Sequence, residues 1–86
     1  MEHASHPDII NRLKRADGHL KRIIAMIEEG RPCVDVAQQL QAVESAVAKA
    51  KQIYIRDHID HCLEGTASGR GAREMVREFQ EIARYL

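Results

Sequence analysis

Residues 33–64 read CVDVAQQLQAVESAVAKAKQIYIRDHIDHCLE and contain neither glycine nor proline. Apolar residues recur here in steps of three and four, at Cys33, Val36, Leu40, Val43, Val47, Ala50 and Tyr54. This heptad pattern is typical of a helix that packs lengthwise against other helices. It continues in steps of four to His58 and Cys62. We therefore predict one uninterrupted helix of about 32 residues, or about 48 Å.

Shorter helices are predicted on both sides of this stretch. Residues 9–27 carry apolar side chains with helical period, and Gly30-Arg31-Pro32 then marks a helix end. Residues 75–86 form an amphipathic pattern. We predict an all-α, three-helix chain in a single domain, residues 1–86, with a flexible N-terminal tail at 1–7 and a loop at 65–71.

The central helix is long for a chain of 86 residues. A compact chain of this size has a radius of gyration of about 12 Å, hence a diameter of about 30 Å. A helix of about 48 Å would extend beyond such a globule and leave part of its apolar seam uncovered. We therefore expect a second copy of the chain to cover the seam, in an obligate homo-oligomer.

Composition excludes several classes of protein. The net charge is zero, 44% of the residues are apolar, and no apolar run approaches the roughly 20 residues of a membrane helix. The charged start lacks the apolar stretch of a signal peptide, so we expect a cytoplasmic protein with reduced cysteines and no membrane partner. The sequence has no nucleophile elbow, phosphate-binding loop or dinucleotide fingerprint, and three helices leave no room for a substrate pocket. An enzyme acting on a small molecule is not expected.

Two residues near the end of the long helix could share a metal ion. His58 and Cys62 are four residues apart and so lie on one face, and His61 adjoins them. An imidazole and a thiolate suit a transition metal, but two ligands seldom suffice. Cys33 is the natural third ligand, yet it precedes His58 by 25 residues, or about 38 Å along one helix.

An antiparallel pair of these helices removes the difficulty. If two copies cross near Ala46 and Val47, Cys33 of one copy lies beside His58 and Cys62 of the other. The small side chains of Ala46 and Ala50 would let the two backbones approach each other at this crossing. Twofold symmetry then gives two sites shared between subunits. The alternative is a cysteine that acts as a small buried apolar residue and a histidine that is solvated. His3 and His6 belong to a disordered tail or provide extra ligands.

A basic cluster precedes the long helix. It has one acid, Asp17, among five cationic residues, Arg12, Lys14, Arg15, Lys21 and Arg22. Lys49 could extend the cluster from the central helix. Such a surface contacts DNA phosphates in a salt-dependent manner, or else it is the solvated face of an amphipathic helix. No helix-turn-helix or zinc-finger pattern is present in the sequence, so DNA shape would have to be recognised.

Three stretches, together with Cys33, carry a resemblance to a known family. They are Arg12-Leu13-Lys14-Arg15-Ala16-Asp17-Gly18-His19, Gln38-Gln39-Leu40-Gln41-Ala42-Val43 and Asp57-His58-Ile59-Asp60-His61-Cys62. In order and spacing, over residues 8–64, they resemble the copper-sensing operon repressors and nickel/cobalt-sensing repressors of the CsoR/RcnR type. The resemblance implies antiparallel dimers that pair into tetramers. It also implies a metal-free tetramer that binds operator DNA and is released by metal, which derepresses a metal-efflux gene.

The resemblance also assigns ligands. Cys33, His58 and Cys62 match the family's Cys-His-Cys set, which is typical of Cu(I) and makes Cu(I) the expected metal. The same trio joined by an N-terminal histidine, here His3 or His6, resembles the Ni(II) site of nickel-sensing relatives, so Ni(II) or Co(II) is the alternative. Whether His61 replaces His58 stays open.

Other positions complete the comparison with the family. Arg12 and Lys49 match basic positions for DNA contact, and Glu78 matches an acid that contacts the ligand histidine in some copper sensors. His19 stands where the family usually has glutamine, and Pro32 where several copper sensors have tyrosine. We predict a metal-responsive repressor. The rival prediction from another class is a metal-binding helical scaffold that does not bind DNA.

Overall fold

The computed structural model describes residues 5–67 and 71–86, without the side chains of 62–67. Its helices are α1 (His6–Glu28), α2 (Cys33–Ala67) and α3 (Ala72–Ala83). The described ranges contain no β-strand. The prediction of an all-α, three-helix chain with one long central helix is therefore confirmed.

Two element boundaries differ from the prediction. Helix α1 begins at His6, with Pro7 in its first turn, so residues 6 and 7 are helical and do not belong to a tail. Helix α2 continues through Ala67, three residues into the predicted loop at 65–71. One glycine inside a helix costs only about 1 kcal/mol, so Gly65 alone does not end α2. Residues 68–70 of that loop lie outside the described part.

The predicted break between α1 and α2 is a tight helix end. Gly30 has a φ of 72°, a left-handed conformation that favours glycine. The backbone N–H of Arg31 donates to the carbonyl of Met26 at 3.0 Å, and that of Gly30 to Ile27 at 3.1 Å. These two bonds form a Schellman end, which satisfies the last carbonyls of α1 and turns the chain back into α2.

The heptad seam of α2 separates into two rows. Val43 and Ala50 are buried and Val36 is half-buried; Val36 and Val43 join Ala16 and Ile23 of α1 in one apolar cluster. The other row stays exposed at intervals of seven residues and comprises Cys33, Leu40, Val47 and Tyr54. Ala50, which was predicted to let two copies approach, is thus already covered within its own chain. One row forms the α1–α2 hairpin, and the other is available to a partner.

The described chain is elongated and thin. Its principal extents are 57, 23 and 13 Å and its radius of gyration is 17.7 Å, against about 12 Å for a compact chain of this length. Helix α2 packs against α1 and α3, whereas no α1–α3 packing occurs in the described residues. Large apolar side chains such as Ile24 and Ile27 are more than half exposed, at 56% and 59%. None of the described helices is both long enough and apolar enough to span a bilayer.

Candidate metal and DNA-binding sites

The predicted metal ligands lie at opposite ends of α2. Cys33 is the first residue of the helix and is exposed, whereas His58 is 25 residues further on and half-buried. At 1.5 Å per residue this is about 38 Å. Within the described residues of one chain, no group of three metal-ligating side chains comes together. A site that contains both residues therefore requires two chains.

His58 lines a cleft between α2 and α3. The cleft has a volume of about 600 Å³ and is lined by His58, Glu78, Glu81, Ile82, Arg84 and Tyr85. The half-buried Glu78 therefore lines the same cleft as His58. His61 is also half-buried and has a partner of its own. The side chain of Cys62 and all of His3 lie outside the described part of the chain.

The start of α1 is fixed beside the His58 end of α2. The ring of His6 stacks on that of Tyr54, with centroids 5.5 Å apart and planes 8° from parallel. The hydroxyl of Ser5 donates a hydrogen bond to Oδ2 of Asp57 at 2.5 Å. Because Tyr54 is one helical turn before His58, these contacts hold His6 close to a predicted ligand. We call this pair of contacts the N-terminal clasp.

Sequence reasoning missed the two contacts of the clasp. Ser5 and Asp57 are 52 positions apart, and neither belongs to a periodic pattern. Only the antiparallel return of α2 along α1 brings them together. The single available signal was His6, whose position in the first turn of α1 places it at the end of the hairpin.

The arginines of α1 line a cleft between α1 and α2. This basic cleft has a volume of about 200 Å³ and is lined by Arg12, Arg15, Ala16, His19, Arg22 and Ala46. Arg12 forms an ion pair with Asp8 at 2.9 Å. Arg15 and Arg22 form no ion pair with any described residue, so their charges are available to an anion.

The predicted basic cluster divides between two sides of α1. Lys14 and Lys21 do not line the basic cleft, and Lys21 forms an ion pair with Asp17 at 3.2 Å. Since they are seven residues apart, they share a second, exposed side of the helix. Lys49 is exposed and follows the cleft residue Ala46 by three positions, so it lies on the same side of α2 as that residue.

Comparison with known proteins places the chain among metal-dependent regulators. Residues 5–85 match the family described as metal-sensitive transcriptional repressors. The copper-sensing transcriptional repressor CsoR of Mycobacterium ulcerans is 43% identical over 63 residues, which are 72% of this chain and 54% of the relative. CsoR of Bacillus subtilis is 31% identical over 74 residues, 86% of this chain and 73% of the relative.

A solved structure shows the same architecture. The nickel-responsive transcriptional regulator InrS superposes with a TM-score of 0.87 at 29% identity, over 100% of this chain and 98% of that one. The matches to CsoR of M. ulcerans and of Mycobacterium bovis cover 54% and 64% of those relatives' lengths. The relatives thus include both a copper sensor and a nickel sensor.

Proposed function

Because the chain belongs to the family of metal-sensitive transcriptional repressors, we propose that it binds operator DNA without metal and releases it on binding a metal ion. The family description also agrees with the prediction that the chain is not an enzyme. The basic cleft supports DNA binding, because Arg15 and Arg22, which pair with no acid among the described residues, place their charges on one side of the α1–α2 hairpin. The rival proposal, a scaffold that does not bind DNA, does not account for this clustering.

The proposed metal site is shared between two subunits. Cys33 of one copy, with His58 and Cys62 of a second copy, would hold the ion in an antiparallel pair of α2 helices. The observation that carries this proposal is the exposed row of α2, which begins at Cys33 and ends at Tyr54. A second α2 lying head to tail along that row covers its apolar side chains and brings the two ends together. We propose that such dimers pair into tetramers.

A shared site couples metal binding to quaternary structure. The ligands meet only when the two helices adopt one relative position, so metal binding stabilises that position over others. Each copy carries its basic cleft on the same α1–α2 hairpin that provides its metal ligands. The distance between the two clefts therefore changes when the two α2 helices move relative to each other. This gives metal binding a physical route to the DNA-binding surface.

We propose Cu(I) as the metal. Two thiolates and an imidazole are soft donors, which suit Cu(I), and several of the relatives are named as copper-sensing. A specific observation favours Ni(II) or Co(II) as the second candidate: the clasp stacks His6 on Tyr54, one helical turn before His58, and so offers a fourth ligand and a second imidazole nitrogen.

Replacing His6 with alanine distinguishes the metals. If Ni(II) is bound through His6, His6→Ala lowers the Ni(II) affinity by at least about tenfold. If Cu(I) is bound by the trio alone, Cu(I) affinity measured by chelator competition is unchanged. Ser5→Ala is the matched control, because it loosens the same clasp without removing an imidazole. Ni(II) affinity that falls equally in both variants would contradict a ligand role for His6.

Arg15→Ala tests DNA binding. We expect it to weaken binding to DNA from upstream of the protein's own gene, and to reduce the slope of log K against log salt by about 0.9 for each phosphate that is no longer neutralised. Arg73→Ala on α3 is the control, because Arg73 is exposed and lies outside the basic cleft. Mobility shift at several salt concentrations measures both effects. Equal binding by wild type and Arg15→Ala, or no wild-type shift at low salt, would favour the scaffold.

A further inference from the structure

His19 occupies a central position in the basic cleft. Arg12, Arg15, His19 and Arg22 follow one another at intervals of three, four and three residues, which places them in one stripe along α1. The stripe is about 15 Å long. Over that length of duplex axis, one DNA strand presents about four phosphates. The imidazole thus fills the one position in the stripe that lacks a permanent charge.

A hydrogen bond from α2 fixes the orientation of this imidazole. Nε2 of His19 lies 2.7 Å from Oε1 of Gln39, and both residues are half-buried. An amide oxygen can only accept, so Nε2 is the donor and carries the hydrogen in both protonation states. Nδ1 is therefore the atom that gains a hydrogen when the ring is protonated. Protonation keeps the bond to Gln39 and adds both a charge and a donor.

The residues that line the basic cleft around His19 are cationic or neutral. Two carboxylates lie next to it: Asp8 pairs with Arg12, and Glu29 lines the adjoining cleft together with Arg22 and Gln39. Helix α1 provides Arg12, Arg15 and Arg22, and α2 provides Ala46 and the amide of Gln39, neither of which ionises. Helix α3 does not pack against α1 in the described part of the chain. A phosphate bound in the cleft would attract a protonated imidazole, because the two carry opposite charges.

Resting on the proposed DNA-binding function, we propose that His19 is a further DNA-contacting residue, which in its protonated form binds a backbone phosphate. The imidazole carries a positive charge only when it is protonated, so DNA binding is expected to strengthen as the pH falls.

The test compares wild type with His19→Gln as metal-free full chains. Glutamine can still donate to Gln39 but does not titrate, and the other histidines are the same in both proteins. Fluorescence anisotropy with a duplex from upstream of the protein's own gene is measured at about pH 5.5 and about pH 8, on either side of the ordinary histidine value. We expect the affinity gained on acidification to be at least about threefold smaller in His19→Gln. The salt slope at the lower pH should be smaller by about 0.9, because one phosphate fewer is neutralised.

A second variant keeps the test informative if glutamine perturbs the fold. His19→Lys carries a permanent charge, so it should bind more tightly than wild type at about pH 8 and gain less affinity than wild type on acidification. An equal pH response in wild type and His19→Gln would overturn the inference while leaving the proposed function intact. DNA binding by His19→Gln that is weakened equally at both pH values would also overturn the inference, because it indicates a purely structural role for His19. No wild-type binding at either pH would overturn the proposed function and this inference together.

Discussion

Replacing Cys33 with alanine is expected to lower the metal affinity by more than about a hundredfold. Loss of a residue that only supports a metal ligand already costs about tenfold to a hundredfold, and Cys33 would be a ligand itself. The fold should survive, because the side chain is exposed at the first position of α2. Chelator competition with Cu(I) measures the affinity, and circular dichroism measures the helix content. Val34→Ala, one position further on and 67% exposed, is the matched control.

The stronger form of this test mixes two defective variants. Cys33→Ala and His58→Ala chains are unfolded and refolded together, so that about half of the dimers contain one chain of each kind. In a site shared between antiparallel subunits, each mixed dimer has one complete site and one site that lacks both residues. The mixture therefore recovers about one quarter of the wild-type binding capacity, while neither variant alone binds. No recovery in the mixture would contradict a shared site.

The helices were predictable because their signals are local. The heptad steps from Cys33 to Tyr54, the breaker Gly30-Arg31-Pro32 and the amphipathic pattern of residues 75–86 each act within a few residues. The structure confirms the three helices that they indicate. The predicted start of α1 and the predicted end of α2 were less accurate. A single glycine such as Gly65 disfavours a helix only slightly, so composition alone placed the loop three residues too early.

Contacts between distant residues were not predictable. A heptad pattern shows that Val43 and Val47 lie on one side of α2, but it does not show which of them α1 covers. The hairpin buries Val43 and leaves Val47 42% exposed. The same hairpin separates Arg15 from Lys21, which the sequence groups in one basic cluster. These differences arise because the side of α2 that faces α1 is set by the packing of the two helices and not by the spacing of apolar residues in the sequence.

The exposed row of α2 leads to the last prediction, which concerns assembly. Val47→Glu is expected to prevent two α2 helices from pairing, because Val47 is near the middle of the row and the twofold axis brings two copies of it close together. Two carboxylates would then be buried without partners, at a cost of about 3 to 5 kcal/mol. For a domain of this size, 1 kcal/mol corresponds to about 4 to 8 °C, so the unfolding midpoint should fall by at least about 12 °C.

Ser45→Glu is the control for this variant, because it adds the same charge to an exposed position of α2 outside the row. We expect it to leave the unfolding midpoint within a few degrees of wild type. Sedimentation supplies the second measurement: wild type and Ser45→Glu should remain oligomeric at micromolar concentration, whereas Val47→Glu should dissociate and lose helix content. The described residues of one chain form a single apolar cluster, so a monomer has little apolar burial to stabilise it. Folding buries one row of the α2 seam and association buries the other, so loss of association also lowers the stability of the fold. A folded, stable Val47→Glu monomer would therefore contradict both the covered row and the shared metal site that depends on it.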